Sequence, residues 1–212
     1  MKLATLVLLS AVLFVGCRES SVRVSNLSCE YLTDPLGIDV KKPRLSWQLQ
    51  SDLRGQKQTA YRVLVASSHD KLDREIGDLW DSGKVDSGRS VHVEYNGNML
   101  VSRTKCFWKV MVWDRNGKPS EWSRTGKWSM GFLKPEDWRA KWIRTPGPET
   151  SPYFRQSFDI EEMPEDASIY VAALGYFELY INGQKVGTEV LAPAVSNFSK
   201  RSYYRTYDVE EY

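Results

Sequence analysis

Period-two alternation, broken every few residues by turn chemistry, runs through this chain from Val22 onward. The clearest stretch is residues 105–113, where Cys106, Trp108, Val110 and Val112 fall on one side of an extended backbone. Helical spacing recurs only at Leu72, Ile76 and Leu79, which predicts a short helical turn within residues 69–79. Strands are predicted at residues 22–32, 44–49, 60–66, 79–85, 90–95, 105–113 and 126–132. Turn signals separate them, among them Thr33 to Gly37, Asn96-Gly97 and Asp114 to Gly117. Roughly seven short strands, punctuated about every 8–12 positions, are the pattern of an immunoglobulin-like or fibronectin-type sandwich. Trp108 sits where such a sandwich keeps a core tryptophan, with no cysteine pair flanking it.

A boundary falls at residues 133–137, so the expected units are 20–133 and 138–212. The second opens on a loop containing Pro146, Gly147, Pro148 and Pro152, which cannot be a central strand because proline donates no ladder hydrogen bond. Strands are predicted at 153–158, 167–174, 176–181, 184–190 and 203–207. Asn182-Gly183 is the dipeptide that a two-residue type I′ hairpin demands, since both central residues take positive φ. Its first flank alternates, with Phe177, Leu179 and Ile181 on one side and Tyr176, Glu178 and Tyr180 on the other. A two-sheet sandwich ordinarily needs roughly 100 residues, so this second, jelly-roll-like sandwich is expected to be incomplete. The fold class expected for the whole chain is all-β.

Formal net charge is +2, which gives no electrostatic case for a nucleic-acid partner. The 8 tryptophans suit sandwich cores and, in an exported protein, faces that stack on sugars. Residues 1–17 resemble a lipoprotein-type signal peptide: Met1-Lys2, an apolar stretch from Leu3 to Val15, then Gly16-Cys17. The stretch is shorter than the roughly 20 residues of a spanning helix. Cys17 is the expected lipidation site, placing an exported protein on a bacterial envelope with the lipid as its only membrane contact. Cys29 and Cys106 remain; an exported location permits a disulfide, but two lone cysteines so far apart in sequence are weak evidence for one, and a small buried thiol accounts for Cys106. No Cys/His cluster has metal-ligand spacing, and no cofactor is expected.

Several segments carry a family resemblance. Cys29 to Asp39 (CEYLTDPLGID), Pro43 to Trp47 (PRLSW), Ala60 to Ser67 (AYRVLVAS) and Leu79 to Val85 (LWDSGKV) are similar to the N-terminal sandwich of bacterial α-L-rhamnosidases of glycoside hydrolase family 78. Phe107 to Asp114, Trp128 to Gly131 and Trp138 to Ile143 continue the match, and the hairpin from Ala173 to Gly187 resembles the start of that family's second N-terminal sandwich. The resemblance implies a multidomain exo-enzyme that removes terminal L-rhamnose from plant glycans or glycosides with inversion. Such chemistry uses two carboxyl groups about 6.5–9.5 Å apart. In the family these lie on an (α/α)₆ barrel downstream of the sandwiches, so the resemblance assigns no catalytic residue here. The missing downstream catalytic domain and a rhamnose-containing glycan are the implied partners. This chain is expected to be inactive by itself and to act as scaffold or sugar contact. The alternative is a free-standing envelope glycan-binding or adhesion module.

The adjacent carboxylates Glu161-Glu162, Glu165-Asp166 and Glu210-Glu211 read as solvated turn residues, since neighbours on a strand point to opposite faces. A pyranose offers an apolar face and a rim of hydroxyls, so its site wants an aromatic ring beside polar donors and acceptors. Trp142, Tyr176, Tyr180 and Asn182 are the candidate sugar contacts, with Tyr203, Tyr204 and Arg205 as further possibilities. The plainer assignment is that the tyrosines cover a neighbouring sandwich and Asn182 only makes the turn. Some rhamnosidases bind rhamnose with calcium, but Ile181 stands before Asn182 where an acid would be wanted. His69 and His92 are isolated and read as surface or strand residues.

Overall fold

The computed structural model describes residues 20, 22–147, 151–162, 164 and 166–212; the leader at 1–17 with Cys17, and also Pro148 and Glu165, lie outside the described residues. The described chain is all-β apart from one short helix and a 3-10 turn. In the first half, β1 (Arg23–Cys29), β2 (Arg44–Gln50), β3 (Ala60–Ala66), α1 (His69–Asp73), β4 (Trp80–Asp81), β5 (Val93–Glu94), β6 (Lys105–Trp113) and β7 (Gly126–Ser129) follow in order. They form two antiparallel sheets, β1-β2-β5 and β4-β3-β6-β7. The predicted β6 bounds are those observed, while β4 and β5 shrink to two residues each.

The alternation on β6 becomes the core: Cys106, Trp108, Val110 and Val112 are buried against Leu27, Cys29, Leu45 and Trp47 of the facing sheet. Burying a side chain of this size contributes about 1.5–3 kcal/mol, so these positions dominate the stability of the sandwich. β3 is buried on both faces, because Leu72 of α1 joins Phe107 and Trp122 in covering Leu64 and Ala66. The helix starts where Ser68 Oγ accepts from Lys71 N and stops before Glu75, whose φ of 58° leaves the helical region; Ile76 is consequently exposed. The buried Trp47 and Gln58 side chains are paired: Trp47 Nε1 donates to Gln58 Oε1 at 2.9 Å, and the Gln58 amide donates to Ser87 O and Arg89 O, whereas Trp128 Nε1 is buried without a partner among the described residues. Cys29 and Cys106 are free, buried thiols, and burial pushes Cys106 up to about 12 and Cys29 higher still.

After β7 the chain passes a 3-10 turn at Pro135–Asp137 into extended segments. The second half holds two antiparallel ribbons, β8 (Ser168–Ala172) with β11 (Tyr204–Asp208), and β9 (Leu179–Ile181) with β10 (Gln184–Val186). Ile181 pairs with Gln184, and Asn182 and Gly183 have φ of 50° and 81°, which is the two-residue turn the dipeptide demands. The strand predicted at 153–158 does not form: residues 151–160 are exposed and unpaired, since alternation without a neighbouring ladder leaves backbone groups to water.

The β8–β11 ribbon docks on the end of the sandwich. Phe132 N donates to Tyr204 Oη at 2.9 Å, and the Phe132 ring lies 4.5 Å from Tyr170 and 5.2 Å from Trp138. Lys105 Nζ, on β6, pairs with Asp166 at 2.6 Å and Glu210 at 3.3 Å across the same junction. Desolvation pulls the Lys105 ammonium down, but those two carboxylates outweigh it and its pKa is raised. Gly37 and Gly131 permit the close approach, because a Cβ at either would collide with Thr206 or with the Tyr204 hydroxyl.

Candidate functional site

Tyr180 on β9, and Tyr176 and Glu178 in the segment leading into it, alternate as exposed residues, whereas Phe177, Leu179 and Ile181 are half-buried. Both tyrosines are 53% exposed. The Tyr180 hydroxyl donates to Glu178 Oε2 at 2.9 Å, and Lys185 Nζ reaches Glu178 Oε1 at 2.5 Å from the partner strand. The Lys185 hydrogen bond, aided by Tyr180, holds the Glu178 carboxyl below the usual carboxylate range. An aromatic face flanked by an acceptor and an ammonium donor therefore faces solvent, the combination that a pyranose ring matches.

Asn182 belongs to the same hairpin, but its side-chain amide donates to Tyr212 O at 2.9 Å. Trp142, 63% exposed on the extended segment after the 3-10 turn, makes no ring contact with either tyrosine among the described residues. The structure thus gathers three of the four candidates on one hairpin and leaves Trp142 apart. Of the further possibilities, Tyr204 is committed to the junction and Arg205 is paired with Glu189; Tyr203 stays exposed beneath the Arg201 guanidinium. The turn offers calcium few ligands: Ile181 brings no side-chain oxygen and Asn182 only its amide Oδ1, against the about six to eight oxygens, carboxylates among them, that calcium takes. Among the described residues, no group of three or more His, Cys, Asp or Glu side chains comes together as a metal site would require.

Two clefts lie elsewhere. One of about 300 Å³ is bounded by Phe132, Pro135, Trp138 and Tyr204 at the junction. The other, of about 660 Å³, opens on the flank of the sandwich, where Arg44, Arg89, His92, Glu94, Asp81 and Asn96 are among its walls. His92, isolated in the sequence, is one of these lining residues, and a strained turn at Glu30 and Tyr31 stands beside it. The only sequence signal for this turn is its place inside the Cys29 to Asp39 segment, since neither residue is a usual turn former.

The carboxyl groups with resolved shifts, Glu30, Asp78, Asp81, Glu178 and Glu189, are all lowered, and each has an Arg or Lys partner. That arrangement holds them ionised at neutral pH. A glycosidic general acid needs the opposite environment, one that keeps its proton.

Residues 24–134 match the family described as Rha78A-like, N-terminal immunoglobulin domain, and residues 162–212 match the α-L-rhamnosidase N-terminal domain. An α-L-rhamnosidase of Formosa agariphila is 35% identical over 99% of this chain, which covers 25% of that relative. The solved α-L-rhamnosidase from Dictyoglumus thermophilum is 38% identical, with a TM-score of 0.82 over 89% of this chain and 23% of its own. The Streptomyces avermitilis α-L-rhamnosidase, solved in complex with L-rhamnose, is 32% identical with a TM-score of 0.58, over 88% of this chain and 20% of its own. The chain spans about a quarter of the length of the curated relatives it matches along its whole extent. It belongs to the α-L-rhamnosidase family and carries that family's N-terminal region, an immunoglobulin-like sandwich followed by sequence of the rhamnosidase N-terminal domain.

Proposed function

We propose that this chain is the accessory front of an enzyme that hydrolyses terminal α-L-rhamnosyl bonds in plant glycans or glycosides. Its own part is to scaffold the enzyme and contact sugar, and bond cleavage belongs to a catalytic domain beyond it. The observation that carries the reading is the succession of two rhamnosidase N-terminal modules along one chain. The ionised, cation-paired carboxyl groups support it, because none of those with a resolved shift is poised to protonate a leaving oxygen. On the hairpin, Tyr176 and Tyr180 supply an exposed aromatic face for the sugar, and Trp142 offers a second, separate one.

An aryl α-L-rhamnopyranoside tests the reading directly. Incubated with this chain it is expected to release no phenol above buffer, while methyl α-L-rhamnopyranoside shifts amides saturably. Steady release of rhamnose by the chain would overturn the assignment.

The same reading places the protein outside the cytoplasm, tethered to the bacterial envelope through acylated Cys17. The charged start, the apolar stretch and Gly16-Cys17 support this. Among the described residues no helix is long and apolar enough to cross a membrane. Expression in a bacterial host should give a membrane-fraction protein whose Cys17→Ala variant becomes soluble; equal partitioning of the two would remove the lipid anchor from the account.

A further inference from the structure

We infer that the cleft on the flank of the sandwich is a second glycan site, taking a neutral, hydroxyl-rich oligosaccharide segment with one ring laid against Tyr31. The inference rests on the function proposed above only for the identity of the sugar.

Backbone strain marks the place. Cys29 and Leu32 exchange hydrogen bonds of 2.9 and 3.0 Å, closing a two-residue turn in which Glu30 and Tyr31 have φ of 47° and 68°. A turn of this geometry ordinarily uses Gly, Asn or Asp, and neither residue is one. His92, whose ring meets the Tyr31 ring edge-on at 5.2 Å, has φ of 52°. Non-glycine residues persist in this region only where their surroundings over-determine them, and they gather at ligand sites. Here the surroundings are explicit. The Glu30 carboxylate accepts from Arg44 N at 2.6 Å and from the Arg44 guanidinium at Nε and Nη2, and that guanidinium lies 5.1 Å from the centre of the Tyr31 ring. What the strained turn presents is a tyrosine ring that is 68% exposed.

The chemistry of the walls indicates the ligand class. Arg89, His92, Glu94 and Asn96 make no side-chain hydrogen bond among the described residues, so donors and acceptors alike are available. Arg44 and Asp81 add charges of opposite sign, each already paired within the sandwich, so the cleft carries no single-sign field to favour a polyanion or a polycation. Trp80 and Asp81 of β4 and Val93 and Glu94 of β5, the outer strands of opposite sheets, all contribute to its lining. Such edges leave backbone N–H and C=O groups that sugar hydroxyls can satisfy.

The test is an amide-shift titration of the whole chain with rutinose, a rhamnosyl-glucose disaccharide, and with gentiobiose, its glucosyl-glucose counterpart. Two variants accompany it. Tyr31→Gly removes the ring and suits the positive φ, and Arg89→Ala removes an exposed side chain that has no hydrogen-bond or ion-pair partner among the described residues. Saturable shifts are expected at residues 30–31, 80–82 and 89–96, with affinity falling about tenfold in each variant, the scale of one lost stacking or charged contact. Equal binding of both disaccharides, lost in the variants, would uphold the cleft while withdrawing support for rhamnose as its sugar. Shifts confined to the β9–β10 hairpin and indifferent to both variants would overturn the cleft and leave the rhamnoside reading standing. No shift with either disaccharide would also overturn it.

Discussion

Trp108 and Trp142 both sit in aromatic-rich sequence, yet Trp108, on β6, is 1% exposed and Trp142, on a segment outside any strand, is 63%. The difference is a facing sheet. In the first half, β1-β2-β5 closes over the inner side of β4-β3-β6-β7, and Trp47, Trp108, Trp128 and Tyr95 interlock between them. In the second half, Val186, Ala192, Pro193 and Tyr207 are the buried apolar residues among those described, and the β8–β11 ribbon finds much of its cover on the sandwich through Phe132, Tyr170 and Tyr204. Alternation supplies an apolar face in both halves; only an opposing layer turns that face into a core.

The contrast can be broken from either side, and the largest effect belongs to the sandwich. Trp108→Ala should cost about 3–5 kcal/mol, the range for deleting a buried aromatic, and a urea melt should show both halves losing structure together. Tyr204→Ala should cost about 2 kcal/mol, since it removes a ring from the junction and leaves Phe132 N without its acceptor. Near-ultraviolet circular dichroism should then show the ribbon loosening while β6 amides stay protected. Tyr204→Phe, which deletes only the hydroxyl, should cost about 1 kcal/mol.

Smaller effects are read against pH. Lys105 has a raised pKa in the folded protein, so its junction pairing contributes below the unfolded lysine value of 10.5 and fades as pH rises through the folded value. Lys105→Gln should flatten the alkaline limb of the melting temperature for the ribbon alone. Glu30 shows the opposite sign: the Arg44 hydrogen bond lowers its carboxyl, giving stability that is present above the unfolded value of 4.5 and lost as pH falls through the folded one. Glu30→Gln should remove that acid limb, and an unchanged acid profile would show that the strained turn does not depend on the pair.

Legibility in the sequence followed the same division. Residues 105–113 could be bounded in advance because Cys106, Trp108, Val110 and Val112 alternate without interruption, and Asn182-Gly183 because only a few dipeptides tolerate two positive φ values. The stretch at 153–158 alternates too, but a strand exists only with a partner, and alternation does not say whether one is present. Tyr204 read as a possible sugar contact because spacing reports which side a ring is on and not what lies against it; its partner, Phe132, is 72 residues away. Glu30 and Tyr31 were illegible for another reason. Their turn is held by Arg44, 14 residues away from Glu30, and not by local turn chemistry, while Thr33 to Gly37 carries the familiar signal just beyond it. On the hairpin, the pairing of Tyr176 with Tyr180 could be read from alternation, whereas the Asn182 contact to Tyr212 O could not.

Hydrogen exchange on the whole chain, with and without Tyr204→Ala, tests most directly whether a self-sufficient sandwich supports a second half that leans on it. The slowest amides should lie on β3 and β6, those of β8 and β11 should exchange faster, and the variant should speed β8 and β11 alone. Protection of β8 and β11 equal to that of β6, and untouched by the loss of Tyr204, would contradict it.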